Sequence, residues 1–318
     1  MSEIKFQANL TETHQYLRSL LLERCSQKSI DWLDSKTEIL EKNYEEKKLF
    51  MFFSMASRFF EKKQLAMSSL EKEQASAIRQ GFAPSSWDAL QTARTILLLS
   101  IPYADFEQQV KTLDTLFESA DVAELVALYA ALPLLPNPVI HIKRAAEGIR
   151  TNMTIVLDAV ALNNPFPSEY FDEISWNQLV LKSIFTERPV YQIYNADTRA
   201  NERLAATLSD YAHERWAAGR AVTPELWRFT GQFANETLLA DYQKLFESGS
   251  PLEKNAALLA CEEANTEQSN QLLETFKPKV QKLLNSWDEL GKAYQAEKGP
   301  LPSGYQQAGS GVSKPDEN

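Results

Sequence analysis

The sequence predicts an all-α protein, an irregular α-solenoid in which helices pair antiparallel in a HEAT-like array, and three observations predict it. Glycine is scarce: Gly299, Gly304, Gly309 and Gly311, four of the ten, fall in the last 21 residues, leaving six for the first 297, against an average usage of roughly 7%. Apolar residues recur at the three- and four-residue spacing of a helix face in block after block, with no alternating strand pattern. The blocks run to about 12–20 residues between short breaks, the rhythm of stacked helix pairs.

Met1 to Gly81 has no proline, and its apolar spacing through Tyr16, Leu17, Leu20, Leu21, then Ile30, Leu33, Ile39, Leu40, then Phe52, Met55, Phe59 reads as long helices. Asn9 and Thr11 with Glu12 supply caps for the first, and Ser29 with Trp32 opens a second whose solvated face is EKNYEEKK. GFAPSS breaks the pattern at 81–86, before a helix from Trp87 to Ile101 and further blocks near 104–118 and 121–132. Three prolines in PLLPNP (Pro133, Pro136, Pro138) interrupt the helices again. Helical blocks resume at 138–149 and 152–163, break at NNPFPS, and continue at 175–187, 199–218, 223–230, 235–248, 251–264 and 267–296. Ser250–Ala264, with proline in its first turn and a small-residue apolar stripe, is the most HEAT-like of them. The expected organisation is a single helical body over 1–297, with a sub-boundary available at 133–138, and a flexible Gly/Pro-rich tail over 298–318.

Length, charge and cysteines bound the function. A chain of 318 residues with 44% hydrophobic and 24% charged residues buries a sizeable core. Its net charge of −10 repels phosphate backbones, so nucleic acid is not an expected partner. The longest apolar stretches, Val122 to Leu135 and Ile96 to Ile101, fall short of a bilayer span, and MSEIKFQANLTETH lacks the layout of a secretion signal. Cys25 and Cys261 stand 236 residues apart without a CxxC partner, as isolated thiols do in a reducing compartment. A cytoplasmic protein without a membrane span is expected.

Residues 176–233 carry the densest chemistry, with three of the six tryptophans. On the helix from Arg199, the stripe Leu204, Leu208, Tyr211, Ala212 has Arg215 within about 20° of its centre, which aims an arginine at the core beside Trp216. The alternative is that the helix ends near Gly219 and the guanidinium reaches water over a packed stem. His213 lies on the opposite face with Asp210 one turn away, an orienting acid–imidazole pair if catalysis occurs and an exposed structural pair otherwise. HERW lacks the second histidine of HExxH, and no cofactor motif of the GxGxxG, GxxxxGK[ST] or GxSxG type is present, so no metal and no cofactor is expected.

If the two helices of this segment are antiparallel, two polar clusters follow. One is Glu187, Asp197 and Arg199, a structural cluster. The other is Trp176, Asn177, Arg215 and Trp216 with Arg220 and Arg228, where arginines beside indole rings suit a small organic ligand or a protein partner, or pin an irregular turn.

The strings WNQLVLKSIF (176–185), DTRAN (197–201), LSDYAHERWAAGR (208–220) and PELWR (224–228) resemble the EboA family, metabolite traffic proteins of the bacterial ebo gene cluster. Where the family is expected to have methionine near Leu179 or Leu208 this chain has leucine, a volume-conserving exchange. The resemblance implies a cytoplasmic accessory protein, encoded beside a prenyltransferase, a sugar-phosphate cyclase-like enzyme and TIM-barrel proteins. It implies support for the biosynthesis or trafficking of a small secondary metabolite, in cyanobacteria a scytonemin precursor. The implied role is binding that metabolite or scaffolding other ebo-cluster proteins; it brings no catalytic residues. The alternative is an enzyme of unrecognised chemistry in the same pathway, using His213 with Asp210.

Overall fold

The computed structural model describes residues 7–102 and 105–299, and every regular element among them is a helix. The only strand-like contact among them is an isolated bridge between Gln64 and Asp88. The described residues divide into two compact units, 7–171 and 172–299. The Pro133–Pro138 segment therefore lies inside the first unit instead of dividing the chain. Its carbonyls, which a proline-broken helix leaves without backbone partners, accept from core side chains: Pro133 from Arg79 Nε at 2.8 Å and Pro136 from Gln109 Nε2 at 3.3 Å.

The first unit comprises α1 (Leu10–Leu22), α2 (Gln27–Lys42), α3 (Glu46–Met55), α4 (Ser69–Ile78), α5 (Ala89–Leu99), α6 (Phe106–Ser119), α7 (Val122–Ala131), α8 (Ile142–Arg150), α9 (Thr154–Ala161) and the short α10 (Phe166–Tyr170). Asn9 caps α1 as expected, accepting from the Glu12 N–H. The α2 cap is Ser26, three residues before the expected start, and it accepts from the Ser29 N–H. EKNYEEKK is not one solvated helix face: α2 stops at Lys42 and α3 begins at Glu46, so the run makes the turn between them. All eleven residues of α5 are buried, because α1, α2, α3 and α7 pack around it. Within that core Arg94 reaches Glu124 at 3.1 Å and the Phe53 carbonyl at 3.2 Å. Arg79, wholly buried, forms a bidentate pair with Glu169 at 2.6 and 3.1 Å.

The second unit comprises α11 (Glu173–Phe185), α12 (Glu202–Ala217), α13 (Glu236–Ser248), α14 (Pro251–Ala264), α15 (Glu267–Phe276) and α16 (Trp287–Lys298), with 3-10 turns over Val190–Gln192, Asp197–Arg199, Pro224–Phe229 and Gly231–Phe233. α14 starts on a Ser250/Glu253 capping box with Pro251 in its first turn. It packs against α13, α15, α16 and the last two turns. The block 223–230 is thus a 3-10 turn, and the block expected as one helix over 267–296 is two, separated by the Lys277–Lys279 turn at Pro278 and an irregular stretch. Lys298 ends α16 and Gly299 follows at φ +84°; the remainder of the expected tail, from 300 onward, lies outside the described residues.

The antiparallel arrangement expected for α11 and α12 is overturned. Asn177 near the start of α11 exchanges two amide hydrogen bonds with Asn201 at the cap of α12, at 3.1 and 2.8 Å. Phe185 at the end of α11 packs its ring at a tilt against Tyr211, 4.5 Å between centroids. Start meets start, so the helices run in the same sense. Residues 186–201 turn back over two 3-10 turns, a return path long enough to reverse what a short loop would have imposed. No helix among the described residues is long and apolar enough to cross a membrane.

Candidate functional site

A cleft of about 520 Å3 opens in the second unit around Arg228, with Asp197, Glu263, Trp287 and Asp288 in its lining. α16 brings the last two, and Gly291 lets it approach. A Cβ there would meet Glu225 Oε1 and the Tyr191 side chain at 2.6 Å, closer than real Cβ atoms come. Behind it, Glu225 accepts from the backbone N–H groups of Val190 at 3.3 Å and Tyr191 at 2.5 Å, which fixes the first turn of the return segment.

Arg228 is buried, and its guanidinium is held on two sides. Asp197 takes a bidentate pair through Nε and Nη2, the latter at 2.7 Å, and Asp288 accepts from Nη1 at 3.0 Å. This planar fork between carboxylates is the geometry arginine supplies and lysine does not. On the opposite wall Glu263 Oε1 accepts from the Trp287 indole N–H at 2.5 Å. Burial pushes the Glu263 carboxyl up to about 7, against the Trp287 hydrogen bond, and Asp197 raises it further. Burial likewise pushes Glu225 up to about 7, against its two backbone donors and Arg228. The cleft thus combines fixed carboxylates, a locked arginine, an indole and a carboxyl able to exchange a proton near neutrality.

The expected clusters are redistributed. Arg228 joins Asp197, whereas Glu187 pairs with Lys298 at 2.6 Å and Arg199 lies over the Trp176 ring at 4.9 Å. The Glu187/Asp197/Arg199 cluster therefore does not form, because it assumed the antiparallel pairing. Trp176 is wholly buried and Asn177 is spent on Asn201. Arg215 is half-buried and lies next to neither of them; it donates twice to the Ala221 carbonyl, at 3.0 and 2.8 Å. The helix ends two residues later, so the guanidinium leaves the core and pins the following turn. Arg220 is exposed. Trp216 stacks on the buried Trp227, 5.6 Å between centroids, with Lys244 Nζ 3.7 Å from its ring centre.

His213 pairs with Asp241 of α13, not with Asp210: Nε2–H donates to Oδ1 at 2.7 Å, and Ser209 Oγ donates to Oδ2 at 3.0 Å. Asp210 projects from α12 into a separate hollow of about 230 Å3 with Glu202 and Asn235 in its lining. The serine and the histidine both bind the carboxylate and not each other, so the order of a nucleophilic triad is absent.

Asp241, Glu225, Glu263, Trp287 and Asp288 escaped the sequence reading. Asp241 had a signal, since it sits on the buried stripe Leu238, Asp241, Tyr242, Leu245. Glu225 stood inside PELWR. Nothing local marked Trp287 or Asp288, 60 residues beyond Arg228. No three His, Cys, Asp or Glu side chains among the described residues are placed to hold a metal ion.

Among curated proteins and among solved structures, nothing matches this chain. The model of the family described as metabolite traffic protein EboA matches residues 13–231, well over half of the 318. That span includes Asp197 and Arg228 and stops before Glu263, Trp287 and Asp288. The chain belongs to the EboA family of metabolite traffic proteins.

Proposed function

We propose that this protein is a non-enzymatic accessory of metabolite traffic that binds a small organic metabolite in the Arg228 cleft. The supporting observation is the cleft itself: about 520 Å3, in the range of small-molecule sites, and centred on an arginine whose orientation two carboxylates fix. A flat apolar patch at Arg228 would instead have favoured a protein partner. In this reading the helices form an irregular HEAT-like array, and the protein works in the cytoplasm beside other ebo-cluster proteins. Its cargo is a small secondary metabolite, comparable to the scytonemin precursor of cyanobacterial relatives.

Purification from the native host, followed by mass spectrometry of bound small molecules and proteins, tests the proposal. A metabolite should accompany the wild-type protein and be lost from Asn285→Trp, which places a bulky ring at an exposed position of the cleft lining. Recovery of a stoichiometric protein partner with no metabolite would replace binding by scaffolding. The enzymatic alternative now rests on His213 with Asp241, whose 2.7 Å contact is its one favourable observation. Loss of metabolite output in His213→Ala, at normal protein abundance and with binding intact, would establish it over transport.

A further inference from the structure

The first unit holds a partly open hollow of about 420 Å3. It lies between the start of α2 and the strap 59–67 that follows α3, and the strap is held open instead of collapsing inward. Backbone bonds tie it to the start of α5: Leu65 N–H to the Trp87 carbonyl at 3.0 Å, Ala89 N–H to Lys63 at 3.0 Å, and Leu90 N–H to Glu61 at 3.2 Å. From the other side Arg24 Nε donates to the Leu65 carbonyl at 2.5 Å and Ser29 Oγ to that of Phe59 at 2.7 Å. Ala66, in the wall, has φ +47°. An alanine keeps that left-handed conformation only where its surroundings over-determine it, and such residues gather at ligand clamps.

The lining is graded. Phe60, Leu65 and Ala89 are buried and apolar. Phe59 stands beside them with its ring stacked on Trp32, 4.4 Å between centroids, which fixes the aromatic wall. Exposed Glu61 and Lys63 supply the polar rim with Arg24, and the half-buried Cys25 thiol lies among them. Arg24 is already committed, to Glu71 at 2.8 Å and to the Leu65 and Leu20 carbonyls, so Lys63 is the rim cation left to meet a ligand. The geometry points to a binding site for a planar aromatic acid, its rings against Phe59 and Phe60 and its anionic group toward Lys63. This site is separate from the Arg228 cleft and stands or falls without it.

Cys25 gives a local readout, because the other cysteine, Cys261, is wholly buried and reports only on unfolding. The test is the rate at which N-ethylmaleimide alkylates Cys25 in the full chain, with anilinonaphthalenesulfonate as the probe acid. At ten times its midpoint concentration the probe should slow alkylation about tenfold, in proportion to the occupied fraction, while Cys261 stays unlabelled. Lys63→Glu, at an exposed position, should raise that midpoint about five-fold. Phenylnaphthylamine, with the same rings and no sulfonate, should protect more weakly than the acid. Unchanged alkylation at saturating probe overturns the site. Protection by the neutral analogue equal to that by the acid, together with an unchanged midpoint in Lys63→Glu, overturns the assignment of an acid.

Discussion

The two units bury charge differently, as arginine–glutamate pairs in the first and mainly as carboxylates that hold turns and neighbouring helices in the second. In the first, Arg79 and Arg94 lie inside the core, each paired with a glutamate and a backbone carbonyl. In the second, the deepest large side chains are aromatic, Trp176, Trp227 and Tyr242. There two arginines work at edges: Arg228 faces a cleft and Arg215 pins a turn. The organisation of the backbone differs in parallel. α5 is buried on every side by other helices, whereas α14 is covered partly by the 3-10 turns at 224–229 and 231–233. A core of helices tolerates an internal ion pair when carboxylate and backbone carbonyl share the guanidinium, although Arg94 Nη1 is left without a partner. A core resting on irregular turns spends its polar groups on holding those turns, and the Arg228 cleft forms at their margin.

The largest expected effect probes the buried pair. Arg79→Ala leaves the half-buried Glu169 and the Pro133 carbonyl without their donor and should destabilise the chain by about 3 kcal/mol, measured by denaturant unfolding. A loss below about 1 kcal/mol would mean that water reaches Glu169, and the contrast between the units would fail. A smaller effect tests the cleft through pH. The folded-state value of Glu263, about 7, stands above its ordinary 4.5, so the neutral carboxyl favours the fold. That contribution is complete below about 4.5 and is lost as pH rises through about 7. Melting of the second unit should fall by a few degrees between pH 5 and pH 8, and Glu263→Gln, which keeps an acceptor for the Trp287 N–H, should flatten part of that slope. An unaltered slope in the variant would assign the pH dependence to Glu225 alone. The smallest effect is Arg215→Ala, about 1 kcal/mol for two bonds to the carbonyl of exposed Ala221. A cost comparable to that of Arg79→Ala would restore the buried arginine that the helical wheel suggested.

The wheel failed at Arg215 and would have succeeded at Asp241. Both residues lie on an apolar stripe. Arg215 is near a helix end, where a long side chain escapes, while Asp241 is in mid-helix with a short one that stays inside. Stripe position therefore predicts burial only together with side-chain length and distance from the terminus. The cluster of Glu187, Asp197 and Arg199 is lost for a different reason: it requires antiparallel helices, and the return segment sends each residue to a different partner.

The sequence by itself determined the all-helical class, most helix positions and the family, because caps, breakers and apolar period act within about four residues and ordered strings survive in the chain. Asn9 and the Pro251 start of α14 were legible for that reason. Only the tertiary structure decided the direction of α12 and the partner of each charge. Arg228 meets Asp197 across 31 residues and Asp288 across 60, and His213 meets Asp241 across 28. Such pairings depend on the path of the connecting turns and on how closely Gly291 lets α16 approach, and neither is encoded in a local spacing.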